Sequence, residues 1–433
     1  MIFLNETAII MWINCERSFY MMIKKILAGV LSVLVLGGAL PGAWPASTVM
    51  TSIAAESDGT EIVEGPLTYS VYPDHAEVKK CDTEAAGEIT IPAQVSGVPV
   101  TAIGANAFEA CLSVTGVYLP ETLTSIGDRA FYQCQALTSA DIPDSVETIG
   151  YSAFADCNDL ASVKLPASLT VLESSVFMMC RKLTSVKIPD NVTKIEDYAL
   201  IGCLELEEIQ IPSSVHSVGM GVFSGTKWLD ERFAESGMVF VNDVLADSKI
   251  SDGDITIPDG IVSISGGTFL NSGITSAVVP ASVKEIGFEG FYNCPNLKSL
   301  TILSPDCEIT QRLVCNGLGD DNVTPYYTGV IRGYTGSTVQ KYAMDNGYTF
   351  VAIDGRELGD IDSDGAIDAS DASAILAEYA AVLTGAAPTI DKSVGDVNID
   401  GYVDASDASA ILQYFAYTQT GGTDSITDFL SAQ

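Results

Sequence analysis

The stretch AFYQCQALTSADIPDSVETIG, Ala130 to Gly150, decides the fold because its neighbours repeat it at a constant step. Phe108, Phe131, Phe154, Phe177, Leu200 and Phe223 each stand 23 residues apart. Three residues after the first five come Cys111, Cys134, Cys157, Cys180 and Cys203, and Pro120, Pro143, Pro166, Pro189 and Pro212 keep the same step. One unit runs from Phe154 to Val176 as FADCNDLASVKLPASLTVLESSV. The pattern lapses after Phe223 and returns at Phe269, 46 residues or two periods later, so the register survives the interruption. Phe291 with Cys294 is the last clear unit. Self-similarity at this period is the signature of a stacked-repeat architecture.

A unit this short cannot bury its own apolar face, so units must stack and share one elongated core. Within each unit the alternation L-x-S-V-x-L-P predicts a short strand, with Val163 and Leu165 on one side. Pro166 and its equivalents cannot donate to a ladder and should end that strand. The A-F-x-x-C segment then turns inward with the phenylalanine as the bulky core residue. Six of the ten cysteines, Cys111, Cys134, Cys157, Cys180, Cys203 and Cys294, occupy one equivalent inward position. They are expected to stay as thiols packed in a row. Cys307 and Cys315 fall out of register and are the disulfide candidates. No C-x-x-C pair offers a zinc site.

These units resemble the BspA-like leucine-rich repeats, whose pattern reads AFxxCxxLxSVxIPxSVTxIG. That resemblance implies a solenoid of short strands and short helices with repeats of about 23 residues. VIRGYTGSTVQKYAMDNGYTFVAI, Val330 to Ile353, resembles the C-terminal close of such arrays. A short helix from about Ser337 and a last strand should cover the open end of the stack.

From Asp360 the composition changes. DIDSDGAIDASD, Asp360 to Asp371, is followed 36 residues later by DVNIDGYVDASD, Asp396 to Asp407. Oxygen-bearing side chains stand at positions 1, 3, 5, 9 and 12 of each 12-residue loop, with glycine at 6. They are Asp360, Asp362, Asp364, Asp368 and Asp371 in the first, and Asp396, Asn398, Asp400, Asp404 and Asp407 in the second. Calcium takes about six to eight hard oxygen ligands, and this alternation wraps a loop around one ion. Gly365 and Gly401 permit the sharp turn. Ala366 and Tyr402 would lend backbone carbonyls at position 7. Two ions are therefore expected, with folding of the segment coupled to their binding. Position 12 is Asp rather than the longer Glu of an ordinary EF-hand, and neither loop has an entering helix. DASDASAIL recurs verbatim at Asp368–Leu376 and Asp404–Leu412. On a helix Ala372, Ile375 and Tyr379 share one face, as do Ala408, Ile411 and Phe415. Two such helices should pack together as a small all-α unit.

This duplicated loop–helix resembles a type I dockerin over Leu358 to about Thr418. The resemblance implies a cohesin module of a scaffoldin as partner, and a cellulosome as setting. The family's partner-reading positions 10 and 11 map to Ala369 with Ser370 and Ala405 with Ser406, identical pairs that imply docking in either of two orientations. At positions 17 and 18 many dockerins carry a basic pair. Here Leu376 with Ala377 and Leu412 with Gln413 stand instead, which suggests a more apolar interface.

Charge and composition exclude other classes. With 21 Lys and Arg against 56 Asp and Glu, a net charge of -35 leaves too few cations to neutralise a nucleic-acid backbone. His75 and His216 are the only histidines, too few for histidine-based catalysis or metal binding. Of three tryptophans only Trp228 lies in the body of the chain, which disfavours a sugar-stacking cleft. Glu207 and Glu208 read as solvated surface, and Gly104, Gly127 and Gly150 as turn glycines rather than a phosphate loop.

Lys24 and Lys25 precede an apolar run, Ile26 to Leu40, that is shorter than the roughly 20 residues of a bilayer span and reads as a secretory signal. Met21 or Met22 is the better start. The expected organisation is α+β overall: 1–54 extension and signal, 55–355 repeat solenoid with covers at both ends, 356–420 dockerin, and 421–433 flexible tail. Between Ile353 and Asp360 only six residues intervene, so limited freedom is expected between the modules. The expected function is that of a secreted, non-catalytic cellulosome component, in the context of plant polysaccharide degradation that the dockerin resemblance implies. Its repeat surface would bind a protein or surface polymer. A hydrolase with a site hidden on the solenoid and a free host-facing adhesin are the alternatives.

Overall fold

The computed structural model describes residues 59–310, 312–319 and 323–432. The expected secretory signal and Cys15 lie outside the described residues. The solenoid begins with a cover: Thr60–Glu64, Leu67–Val71 and Ala76–Cys81 form an antiparallel meander. Its third strand then pairs in parallel with Val98–Ile103. From there two parallel ladders run along the stack. One joins two-residue strands such as Val171–Leu172, Lys194–Ile195 and Ser217–Val218. The other joins the S-V-x strands: Ser139–Asp141 pairs with Ser162–Lys164, and Ser185–Lys187 with Glu208–Gln210. Ser139 faces Ser162 and Lys194 faces Ser217, so each strand meets its equivalent one period away. Leu165 and Pro166 lie immediately beyond the strand, where the missing N–H ends the ladder.

Between the ladders the A-F-x-x-C segments form successive turns whose N–H groups bond across units, as when Phe154 N donates to Val176 O at 2.9 Å. The phenylalanine rings stack in a row: Phe108 on Phe131 at 4.8 Å, Phe131 on Phe154 at 5.0 Å, and Phe154 on Phe177 at 5.6 Å. The cysteines of this row are free and buried, and their thiols find partners. Cys157 Sγ donates to Phe131 O at 3.2 Å, Cys180 Sγ to Phe154 O at 3.1 Å, and Cys203 Sγ to Phe177 O at 3.1 Å. Each thiol therefore satisfies a carbonyl of the preceding unit while filling an apolar slot, a combination that neither alanine nor valine supplies. Burial pushes the Cys134, Cys157, Cys180 and Cys203 thiols well up, which keeps them protonated and unreactive. Gly127 and Gly150 serve close approach rather than a turn conformation. A Cβ on Gly127 would lie 2.7 Å from Ala105 N, so stacking itself excludes a side chain there.

The interruption after Phe223 is built differently from a worn repeat. Helix α1 (Lys227–Ser236), N-capped by Thr226, leads into an antiparallel hairpin of Met238–Val241 and Val244–Ser248. Trp228 packs on Phe223 at 4.6 Å and extends the aromatic row. The hairpin's second strand then pairs in parallel with Ser263–Ile264, which restarts the stack. Asp247, in that strand, accepts from Ser248 N at 2.7 Å, and burial pushes its carboxyl up to about 6. A carboxyl raised by folding contributes stability below its unfolded value, near 4, that is lost as pH climbs through 6. Asp247→Asn should therefore flatten the profile, gaining about 1–2 kcal/mol over wild type between pH 4.5 and 7.5. Urea titrations of both proteins at the two pH values would measure this, and parallel profiles would refute it.

At the far end Ser299–Ile302, Val330–Gly333 and Phe350–Ala352 continue the ladder. Helix α2 (Thr338–Asp345), N-capped by Ser337, packs over it as the closing cover. Cys307 and Cys315 are corrected here: both are free and buried, not bridged. Val314 pairs with Phe291, so Cys315 belongs to a further stacked unit, where its Sγ accepts from Asn293 N at 3.1 Å. Cys307 Sγ instead faces Glu308 O at 3.7 Å.

The C-terminal module holds helices α3 (Ala369–Leu383), α4 (Lys392–Gly395), α5 (Ala405–Gln419) and α6 (Ile426–Ser431). α3 and α5 pack together through Ala372, Ile375, Ala408 and Ile411. Tyr414, rather than Phe415, is the buried aromatic of α5. The expected flexible tail is also corrected. Ile426–Ser431 form a helix capped by Ser425, whose Phe429 ring packs at a tilt against Tyr417 at 5.0 Å and Tyr414 at 5.6 Å. Solenoid and C-terminal module lie within one compact unit, Asp58–Gln433.

Candidate calcium centre and docking face

The two acidic loops fold alike because the same side chains tie the same backbone groups. In the first, Asp360 accepts from Asp364 N at 3.1 Å and from Gly365 N at 3.1 Å. In the second, Asp396 accepts from Asp400 N and from Gly401 N, both at 2.9 Å. Position 9 caps the following helix: Asp368 Oδ1 accepts from Ser370 N and Asp404 Oδ1 from Ser406 N, each at 2.7 Å. Position 12 completes a capping box and draws the loop shut. Asp371 accepts from Ile361 N at 2.8 Å and Asp368 N at 2.9 Å, and Asp407 from Val397 N at 2.7 Å and Asp404 N at 2.9 Å.

Asp371 and Asp407 are 1% and 0% exposed. Burial raises the Asp407 carboxyl, and it also raises Asp396. Hydrogen bonds from Ser370 and Ser406 lower Asp368 and Asp404. Gly365 and Gly401 hold φ of 86° and 102°, the left-handed turn that position 6 demands.

The donor set fits a hard cation. Carboxylate oxygens of Asp360, Asp362 and Asp364 lie within 4.8 Å of one another. Asp368 and Asp371 close the first loop, and Ala366 contributes the position-7 carbonyl to the candidate set. In the second loop Asn398, Asp400, Tyr402, Asp404 and Asp407 are, with Asp396, the corresponding candidates by position. Oxygen-only donors of this kind suit calcium better than a nitrogen- or sulfur-seeking metal.

The residues at positions 10, 11, 17 and 18 are all exposed: Ala369, Ser370, Leu376 and Ala377 on α3, and Ala405, Ser406, Leu412 and Gln413 on α5. Leu376 and Leu412 are 45% and 44% exposed, a matched apolar pair on the surface. Sequence reasoning missed the residues that seat this module on the solenoid, among them Gly336, Arg356 and Thr427. The tail helix did leave a signal, since Ser425 and Asp428 bracket its first turn as a capping motif before Phe429 and Leu430.

Two family models match the chain. The BspA type leucine rich repeat region matches in six copies over residues 101–230 and 245–316, and the dockerin type I domain over 358–416. The gap between the repeat matches falls on α1 and the hairpin. Among solved structures, a leucine-rich repeat protein from T. pallidum is 26% identical, covering 41% of this chain and 96% of that one, with a TM-score of 0.35. One from Bacteroides ovatus is 22% identical over 63% of this chain and 84% of its own, at 0.35. A leucine rich cell surface protein from Faecalibacterium prausnitzii is 25% identical over 59% and 79%, at 0.36. No curated protein matches the chain.

Proposed function

Because the chain carries a BspA-type leucine-rich repeat region and a C-terminal type I dockerin domain, we propose that it is a secreted, non-catalytic component of a cellulosome-type assembly. Both modules are non-catalytic. The dockerin docks onto a scaffoldin cohesin, and the repeat surface holds a protein or surface-polymer ligand, in the setting of plant polysaccharide breakdown. The observation that carries this reading is the matched, exposed pair of partner-reading surfaces, Ala369–Ser370 and Ala405–Ser406, each standing beside an all-oxygen loop. Among the described residues no helix is long and apolar enough to cross a membrane.

In this reading two calcium ions bind, one held by Asp360, Asp362, Asp364, Ala366, Asp368 and Asp371, the other by Asp396, Asn398, Asp400, Tyr402, Asp404 and Asp407. Bound calcium supplies the positive charge that offsets repulsion among these carboxylates. The protein's own residues then do the positioning. Asp371 and Asp407 pin each loop to its helix, and Ser370 and Ser406 stand exposed at the helix start with their hydroxyls bonded back to Asp368 and Asp404. Leu376 and Leu412 add apolar contact area to a docking face without a basic pair.

Calorimetric titration against a panel of cohesins, with calcium and then with chelator, tests the assignment. Tight one-to-one binding that vanishes without calcium is expected. Calcium binding without any cohesin binding would remove the docking role from Ala369, Ser370, Ala405 and Ser406.

A further inference from the structure

The two calcium-loop halves repeat one sequence, yet the solenoid touches them unequally. α4, a single turn where the sequence predicts no entering helix, runs directly into Asp396, the first candidate ligand of the second loop. The solenoid's closing turn and the linker grip α4 from two sides. Gly336, at φ 72°, lies so close that a Cβ there would collide with the backbone of Ser393. Arg356 donates from Nη1 to Ser393 Oγ at 3.0 Å and from Nη2 to Asp391 Oδ2 at 2.9 Å, and Asp391 is the N-cap of α4. Gly359 N, in the linker, donates to Val394 O at 2.9 Å.

A second attachment lies on α6, where Gln340 Nε2 of the closing helix donates to Thr427 Oγ1 at 3.0 Å in a buried contact. Met344 of the same helix joins the dockerin's own apolar cluster with Ile426. A cleft of about 920 Å³ separates the solenoid end from the second loop, with Lys341 and Asp345 on one side and Asp396, Asp400 and Gly401 on the other. No residue from Asp360 to Asp371 lines it.

We propose that the solenoid's end is a positioning element for the second calcium loop, so that the two sequence-matched sites are inequivalent. Gly336 and Arg356 hold α4, and through it Asp396, in the place the loop needs before the ion arrives. A ligand already in place costs less ordering on binding, so the second loop binds its ion more tightly than it would in a free dockerin. Linkage makes the effect reciprocal: loading the second loop tightens the seat of the dockerin on the solenoid. This proposal rests on the calcium reading given above.

The test uses the full chain, with calcium titrations followed at the amides of Gly365 and Gly401, one in each loop. Arg356→Ala removes two partly exposed polar contacts, and is expected to weaken calcium binding at Gly401 about three-fold. Binding at Gly365 should stay within two-fold by the same conversion, roughly 0.4 kcal/mol. Gly336→Ala forces the seat open and should weaken the second site by more than about ten-fold. Equal effects at both glycines, or none at either, would overturn the proposal while leaving the calcium reading intact. If neither glycine responds to calcium in the wild-type chain, the calcium reading fails and this proposal with it.

Discussion

Chelating calcium from the protein is expected to unfold both acidic loops and the helices that follow them, while α4 stays seated on the solenoid and the solenoid keeps its strands. The first loop gathers five carboxylates and the second four, and Asp371 and Asp407 among them are almost wholly buried. Without a cation these charges repel at short range inside a region of reduced dielectric. Little else within the loops and their helices holds them. Its apolar cluster is small, with Leu358, Ile367, Ile375, Val397, Ile411, Tyr414 and Ile426 as its larger buried members. A segment of this size rarely builds enough core to stand alone. At free calcium one hundred times Kd each site adds about 2.7 kcal/mol, so two sites supply about 5 kcal/mol. Hydrogen exchange with and without chelator reads this directly. Amides from 361 to 375 and from 397 to 414 should lose protection, while those of Ser139–Asp141 through Glu208–Gln210 stay slow. Unchanged exchange in the loops would show that the module folds without metal.

The second large effect lies in the aromatic row. Phe154 is 1% exposed and sits between Phe131 at 5.0 Å and Phe177 at 5.6 Å. Phe154→Ala should cost about 3–5 kcal/mol, because the stacked backbones on both sides cannot collapse into the gap. In a solenoid each unit is stabilised only by its neighbours, so the loss weakens two interfaces at once. Urea unfolding should show a lower midpoint and, if the array splits there, a second transition. Leu112→Ala, at a residue 50% exposed, is the control and should change stability by no more than about 0.5 kcal/mol. Equal costs at the two positions would contradict the stacked-row account.

Much of this protein is legible in its amino-acid sequence, and for a definite reason. The period of Phe108 to Phe223, the inward cysteines and the strand-ending prolines are local features repeated many times, so each copy reinforces the reading of the others. The two loops are legible because a metal-ligand pattern is a short-range constraint: twelve consecutive residues specify the turn, the donors and the helix start. The amphipathic pattern of α5 points one residue away from the buried aromatic, to Phe415 instead of Tyr414. The tail helix supplies a second wall there, which the periodicity of α5 does not encode.

Sequence alone therefore determined the repeat architecture, the paired loop–helix module and their order along the chain, since each follows from contacts within one unit or one loop. Tertiary structure alone decided what meets across long separations. The thiols of Cys134, Cys157, Cys180 and Cys203 bond carbonyls 26 residues back, Cys315 joins a stacked unit instead of Cys307, and Thr427 finds Gln340 across 87 residues. Such pairings depend on which surfaces come to face each other once the stack has closed. A local pattern carries no information about its partner, so the seat of the dockerin on the solenoid could be read only from the folded chain.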